Sequence, residues 1–314
     1  MDQIGEHRVR VSGARGAAPP ATLKVSATAM RGWRCTGTLT IVGIDAAAKA
    51  RRTGEAIVER VSELFAQRGH APFTRSRIEV VGAETSYGPH ATRQPPREVG
   101  LRVAVHHESR EALELFAREI SAAGTSWSPG TTGAGGGRPG VSPLIVPLSF
   151  AIERSAVTPT VHLGGSSIPV PMEAPPATQS TPAPGPEDEP APYPAFAPGH
   201  TARLVQLAWG RSGDKGDLSN IGLIARRPEW LPLLWQQVTP ESVAAWLGHL
   251  VKGHVDRYHL PGIHAMNLVL HEALDGGGPI SLRLDPLGKG MAQILLDMPI
   301  AVPAEVAAEL DEHR

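Results

Sequence analysis

The sequence predicts an α+β protein made of two ferredoxin-like α/β sandwich units joined by a Pro-rich linker. Three observations carry this. Residues 35–150 alternate in the order strand, helix, strand, strand, helix, strand, the split βαβ arrangement. Residues 200–303 hold a second set of short strands and helices. Between them, residues 173–199 carry nine of the chain's 30 prolines with Ala, Ser, Thr and a short acidic run. That stretch has no hydrophobic period and reads as an extended, semi-rigid linker. The expected division is therefore 1–172, a linker at 173–199, a second unit at 200–303 and a tail at 304–314.

Each element rests on a local pattern. His7–Ser12 and Thr22–Thr28 alternate polar and apolar residues, as half-buried strands do, and are expected to pair with one another. Cys35–Ile44 is rich in Thr, Ile and Val and reads as a strand. Asp45 is the expected N-cap of a helix over Ala46–Arg68, whose apolar stripe is Ile57, Val61, Leu64 and Phe65, with Gly69 as its stop. Arg77–Val81 and Gly100–His106 are strands, Glu108–Ala122 an amphipathic helix and Leu144–Phe150 a closing strand. The glycine-rich run Gly124–Pro143 is either a flexible loop or a nest of amides for an anion beside Arg138. It is not a P-loop, because the Lys-Ser/Thr ending is missing.

In the second unit, Arg203–Trp209 and Asn220–Ala225 read as paired strands. Thr239 caps a helix with Pro240 at its first position. Val255–Leu260 is a strand, and His264–Leu274 suits either a helix or a buried strand. Ile280–Leu284 and Gln293–Ile300 are expected strands around a turn at Asp285–Gly288. A short helical tail closes the chain.

Composition narrows the function. The chain has 314 residues, a net charge of −1 and one cysteine, Cys35. No large basic field supports nucleic-acid or anionic-membrane binding. A disulfide framework and a Cys-cluster zinc site are excluded. No window is long and apolar enough to span a membrane, and the first residues lack a signal-peptide core. A cytoplasmic location is the expectation. No nucleophile-elbow motif is present. The histidines at 249, 254, 259, 264 and 271 form no recognised metal-ligand spacing, so no metal site is expected.

One stretch carries more chemistry than a connection needs. Arg211–Asn220 reads R-S-G-D-K-G-D-L-S-N, between two apolar runs. Gly213 and Gly216 let the backbone turn sharply or approach a ligand. Asp214 and Asp217 are acid/base candidates, with Lys215 beside them. Arg211 and Lys215 with glycine amides suit a clamp on a carboxylate or phosphate. Ser212, Ser219 and Asn220 complete the candidate ligand-binding set. Asn267, inside an apolar run, needs a hydrogen-bond partner if buried. Gly276, Gly277 and Gly278 break the chain where backbone can meet a ligand. The same loop reads equally well as a rigid, self-satisfied turn.

R-S-G-D-K-G-D-L-S-N-I-G-L-I-A at 211–225 resembles the signature of the AtuA-like ferredoxin-fold domain. V-K-G-H-V-D-R-Y at 251–258 and N-L-V-L-H-E-A-L-D-G-G-G-P-I-S-L-R-L-D-P-L-G-K at 267–289 support the likeness. R-V-R-V-S-G-A-R-G at 8–16, T-L-K-V-S-A-T at 22–28 and G-T-T-G-A-G-G-G-R-P at 130–139 resemble the latter part of the larger AtuA domain. The resemblance implies a role in catabolism of acyclic terpenes of the citronellol and geraniol type, or of related branched acids, through acyl-CoA intermediates. It implies an acyl-CoA substrate and no tightly bound cofactor. It also implies an oligomer, and a separate chain that supplies the family's N-terminal portion. The alternative is a non-catalytic binding or assembly module that completes a larger complex.

Overall fold

The computed structural model describes residues 2–14, 16, 19–92, 94–133, 137–170, 172, 189–197 and 199–312. The chain divides into two compact units, with one boundary, between residues 186 and 187, inside the Pro-rich stretch and two others, at 29/30 and 146/147, outside it. One comprises residues 1–29 and 147–186, the other residues 30–146 and 187–314. Both expected sandwiches lie within the second. Of the expected linker, residues 173–188 and 198 lie outside the described residues.

The smaller unit contains two exposed two-stranded ribbons. Asp2–Gly5 pairs with Arg8–Arg10, and Thr160–Leu163 with Ser166–Pro169. The expected partner of the first run, Thr22–Thr28, instead begins a long strand, β1 (Thr22–Val42).

In the larger unit, the part of β1 from Met30 on leads to α1 (Ala46–Arg68), β2 (Arg75–Val81), β3 (Glu98–His107), α2 (Arg110–Ser126), β4 (Thr131–Gly133) and the start of β5 (Ser142–Glu153), which leaves the unit after Val146. The sheet order is β2-β3-β1-β4, with β5 also pairing with β1. Apart from short β4, this is the antiparallel order of a ferredoxin-like sandwich. The helices cover one face, where Ile57, Val61, Phe65, Leu113, Phe116 and Ile120 pack on Ile41, Leu101, Val103 and Val105. Cys35 is buried in the same core, and burial pushes its thiol up to about 11. Gly69 ends α1 in the left-handed region, as expected. Asp45 stands at the N-cap position at φ 56°, but its side chain makes no capping bond. The tight turn out of β1 sets its conformation.

The second sandwich begins with β6 (His200–Arg203), β7 (Ala208–Lys215) and β8 (Leu218–Ala225). It continues through α3 (Leu231–Gln237), α4 (Pro240–Trp246), β9 (Val255–Leu260) and β10 (Ala265–Leu270). It ends with α5 (Met291–Leu295), β11 (Pro299–Val302) and α6 (Ala304–Glu312). β7-β8-β10-β9 form a four-stranded antiparallel sheet, and β6 pairs with β11. Thr239 caps α4 as expected, its Oγ1 accepting the Ser242 N–H at 3.2 Å.

Three expected strands are not continuous strands. Of Arg203–Trp209, Leu204–Leu207 form a helical turn between β6 and β7, which the Gln206 side chain ties down by accepting the Arg203 N–H at 2.8 Å. Residues 280–284 lack regular structure, because Gly276, Gly277 and Gly278 all take positive φ and Pro279 follows. Residues 293–300 are split between α5 and β11. The Ser212 hydroxyl accepts the Ala292 N–H at 3.0 Å, and the Asp285 carboxylate accepts those of Lys289 at 2.9 Å and Gly290 at 2.7 Å. These bonds satisfy the opening turn of a helix, which a strand would not present. Gly277 sits at φ 70°, where a Cβ would overlap the Gly216 carbonyl. Gly277→Ala is therefore expected to cost about 2–4 kcal/mol in urea unfolding, from the left-handed backbone and the overlap together.

Candidate functional site

The strand period of two decides which side chains meet. On the first sandwich the face away from the helices carries three rows across β1, β3 and β2. They are Arg34–His106–Arg75, Thr36–Ala104–Arg77 and Thr38–Arg102–Glu79. Four arginines and one histidine thus share a sheet face with one carboxylate. Apolar residues alternate with them and face the helices, so the strands have no freedom to turn these groups away.

Residues 275–284 of the second sandwich lie across this face. Arg75 pairs with Asp275 at 2.6 Å and donates to the Ile280 carbonyl at 2.9 Å. Arg102 donates to the Leu282 carbonyl and to Glu79, both at 2.6 Å. Glu79 also accepts the Leu284 N–H at 3.1 Å and Arg77 Nε at 3.0 Å. Its carboxylate is therefore fully engaged.

Between the sheet and the covering loop a cavity of about 360 Å³ remains. Arg34, Thr36, Arg102, His106 and Ser142 line it from the first sandwich, and Pro279 and Ser281 from the cover. No carboxylate is among its lining residues. Arg34 has only a long contact to the Ser142 hydroxyl, 3.4 Å. His106 is buried, and no hydrogen bond to its ring is found among the described residues. Burial, with Arg75 and Arg34 nearby, lowers its pKa from 6.5 to about 4. At neutral pH it is an uncharged imidazole, able to donate one hydrogen bond and accept another. Two guanidiniums and a neutral imidazole in a half-enclosed polar space suit an anionic group with oxygen acceptors.

A wider groove of about 460 Å³ lies elsewhere, past Val205, Trp209, Trp230 and Leu310. Its cations are committed. Arg226 stacks on Trp209 at 4.8 Å, and Arg227 pairs with Glu309.

The Arg211–Asn220 stretch is not an open loop. It runs along β7 to Lys215, turns at Gly216 and Asp217, and returns along β8. The register places Arg211, Gly222, Asn267 and Tyr258 in one row across the sheet, and Gly213, Asn220, Val269 and Asp256 in the next. So Arg211, Gly213, Asn220 and Asn267 share the face opposite the helices. Ser212 and Ser219 are buried on the other side, where Ser212 holds α5.

Asp214, Lys215 and Asp217 do not converge. Asp214 lies 3.5 Å from Lys289 Nζ, and Lys215 Nζ donates to the Asp214 carbonyl at 3.0 Å. Asp217 Oδ1 accepts the N–H groups of Leu274 at 3.1 Å and Gly276 at 2.8 Å. Asp217 thereby fixes the start of the Gly276–Gly278 turn, and that turn leads into the segment covering the cationic face. Of the residues the sequence singled out, Asp217 and Gly276–Gly278 shape the cover, while Arg34, Arg102 and His106 line the cavity beneath it. Their signal was the alternation R-S-R-I-E at 75–79 and G-L-R-V-A-V-H at 100–106, in which one strand face is charged or small and the other apolar.

Residues 1–163 match the model of a family described as acyclic terpene utilisation family protein AtuA, over more than half of the 314-residue chain. Residues 202–301 match that of the AtuA ferredoxin-like domain. No curated protein and no solved structure matches the chain. Among the described residues no helix is long and apolar enough to cross a membrane.

Proposed function

Since the chain belongs to the acyclic terpene utilisation family AtuA, we propose that it acts in the breakdown of acyclic terpenes by holding an acid form of these compounds. The ligand class is a branched carboxylate of the citronellate or geranate type, or its acyl-CoA thioester. The observation that supports this is the cavity lined by Arg34, Arg102 and His106 with no carboxylate on its wall. Arg34 provides a guanidinium whose one polar contact among the described residues is weak, so a carboxylate gains its full charge-assisted bond. Arg102 is already braced by Glu79 and sets the potential more than it moves. His106, neutral and unpartnered, completes the anion's hydrogen bonding as a donor. An alcohol of the same carbon skeleton brings no charge and is expected to bind more weakly.

Isothermal titration of the chain with citronellate and with citronellol tests this. The acid should bind at least roughly tenfold more tightly, a difference of about 1.4 kcal/mol. Arg34→Ala should remove most of that preference without unfolding the protein, because Arg34 makes no ion pair among the described residues. Equal affinity for acid and alcohol, or an acid affinity that Arg34→Ala leaves unchanged, would overturn the reading.

A further inference from the structure

We infer that His254, Asp256 and His271 form a binding site for a divalent transition-metal ion of the zinc class. The site lies at one end of the four-stranded sheet. His254 immediately precedes β9 and His271 immediately follows β10. Antiparallel pairing sets Val255 opposite Leu270, and the His271 N–H donates to the His254 carbonyl at 2.9 Å. The two imidazoles are thereby held side by side, their rings stacked 3.8 Å apart. Asp256, two residues along the strand from His254, projects from the same face. Its Oδ2 lies 2.8 Å from His271 Nε2 and 3.5 Å from His254 Nε2.

One ligand atom from each of the three residues lies within 4.8 Å of the others. A zinc-class ion holds imidazole nitrogen and carboxylate oxygen at about 2.0–2.2 Å, so its donors stand roughly 3–3.5 Å apart. Small side-chain rotations bring this set to that spacing, with no movement of the paired backbone. Two imidazoles and one carboxylate favour Zn²⁺, Co²⁺, Ni²⁺ or Cu²⁺ over Mg²⁺ or Ca²⁺, which prefer all-oxygen shells. His271 is half-buried while His254 is exposed. The remaining coordination positions therefore face solvent, open to water or a ligand group. The site shares no residue with the cationic cavity, so either can fail without the other.

The test uses the full chain, freed of metal by a chelator and dialysed. Zn²⁺ titrated calorimetrically should bind at one equivalent, with a Kd on the order of 10 µM or tighter, about −7 kcal/mol. Co²⁺ should give visible d–d absorption that Zn²⁺ abolishes. His271→Ala and Asp256→Ala should each weaken binding at least roughly tenfold, since each removes one of three ligands. His254→Ala removes an exposed side chain and serves as the variant safest for folding. His264→Ala, outside the cluster, should leave binding as it was. Absence of saturable Zn²⁺ uptake would overturn the assignment, as would uptake that His254→Ala leaves intact.

Discussion

Glu79→Ala is expected to destabilise the larger unit by about 3–5 kcal/mol, the usual cost of stripping one partner from a buried ion pair. The Glu79 side chain is only 6% exposed, and its carboxylate meets Arg77, Arg102 and the Leu284 amide. Without it, Arg102, whose side chain is 18% exposed, is left with its charge unpaired and the amide of the covering segment loses its acceptor. The loss falls on the contact between the two sandwiches, not on either apolar core. Urea unfolding followed by tryptophan fluorescence measures it, since Trp33 and Trp127 belong to one sandwich and Trp209, Trp230, Trp235 and Trp246 to the other. A loss below about 1 kcal/mol would mean that the ion pairs do not hold the seam. Replacing Glu79 and Arg102 together by apolar residues of similar size should cost less than Glu79→Ala alone, because the partner left behind, Arg77, is 35% exposed and solvated.

Asp217→Ala should cost about 2–4 kcal/mol. Its carboxylate accepts two backbone N–H groups of the 274–276 turn, and bonds to a charged acceptor each contribute about 1.5–3 kcal/mol. Asp217→Asn keeps one oxygen acceptor and should recover at least half of that. The pair of variants separates two roles for this residue. A structural pin loses stability in Asp217→Ala and retains it in Asp217→Asn. A proton-transferring acid would lose its reaction in both, with stability little changed in Asp217→Asn. Thermal unfolding of Asp217→Ala, with Asp217→Asn as the control that keeps an acceptor, reads the difference, since only a pin loses stability in the alanine variant.

Much of the first sandwich was legible because its signals are local. The 3.6-residue stripe through Ile57, Val61 and Phe65, with Gly69 behind it, delimits α1. Strand alternation likewise located β2 and β3 to within a few residues. Ile280–Leu284 misled for a physical reason. I-S-L-R-L alternates like a strand, yet Arg283 donates to the carbonyls of Ala273 and Leu250 at 2.6 and 2.8 Å. Those partners are tertiary, and no local pattern announces them. The cavity was not legible for the same reason. Arg34, Arg102 and His106 are 68 and 4 residues apart in sequence and meet only through the β1–β3 register. The His254–Asp256–His271 cluster needed the β9–β10 register in the same way. H-x-D within a strand puts two ligands on one face, but the third comes from the neighbouring strand. What the sequence did mark, the R-S-G-D-K-G-D stretch, became a hairpin whose tip holds the cover in place.

The cover also imposes an order on synthesis. Its hydrogen bonds to the first sandwich join residues 180 to 205 positions apart. Closing so long a loop costs chain entropy before any bond repays it. On the ribosome, the face bearing Arg34, Arg75, Arg77 and Arg102 is complete well before residues 275–284 exist. For that interval the nascent chain presents an uncovered, arginine-rich sheet beside the polyanionic ribosomal surface. The groups that later quiet it, the Asp275 carboxylate and the carbonyl oxygens of Ile280 and Leu282, arrive only once residues 275–282 have been made.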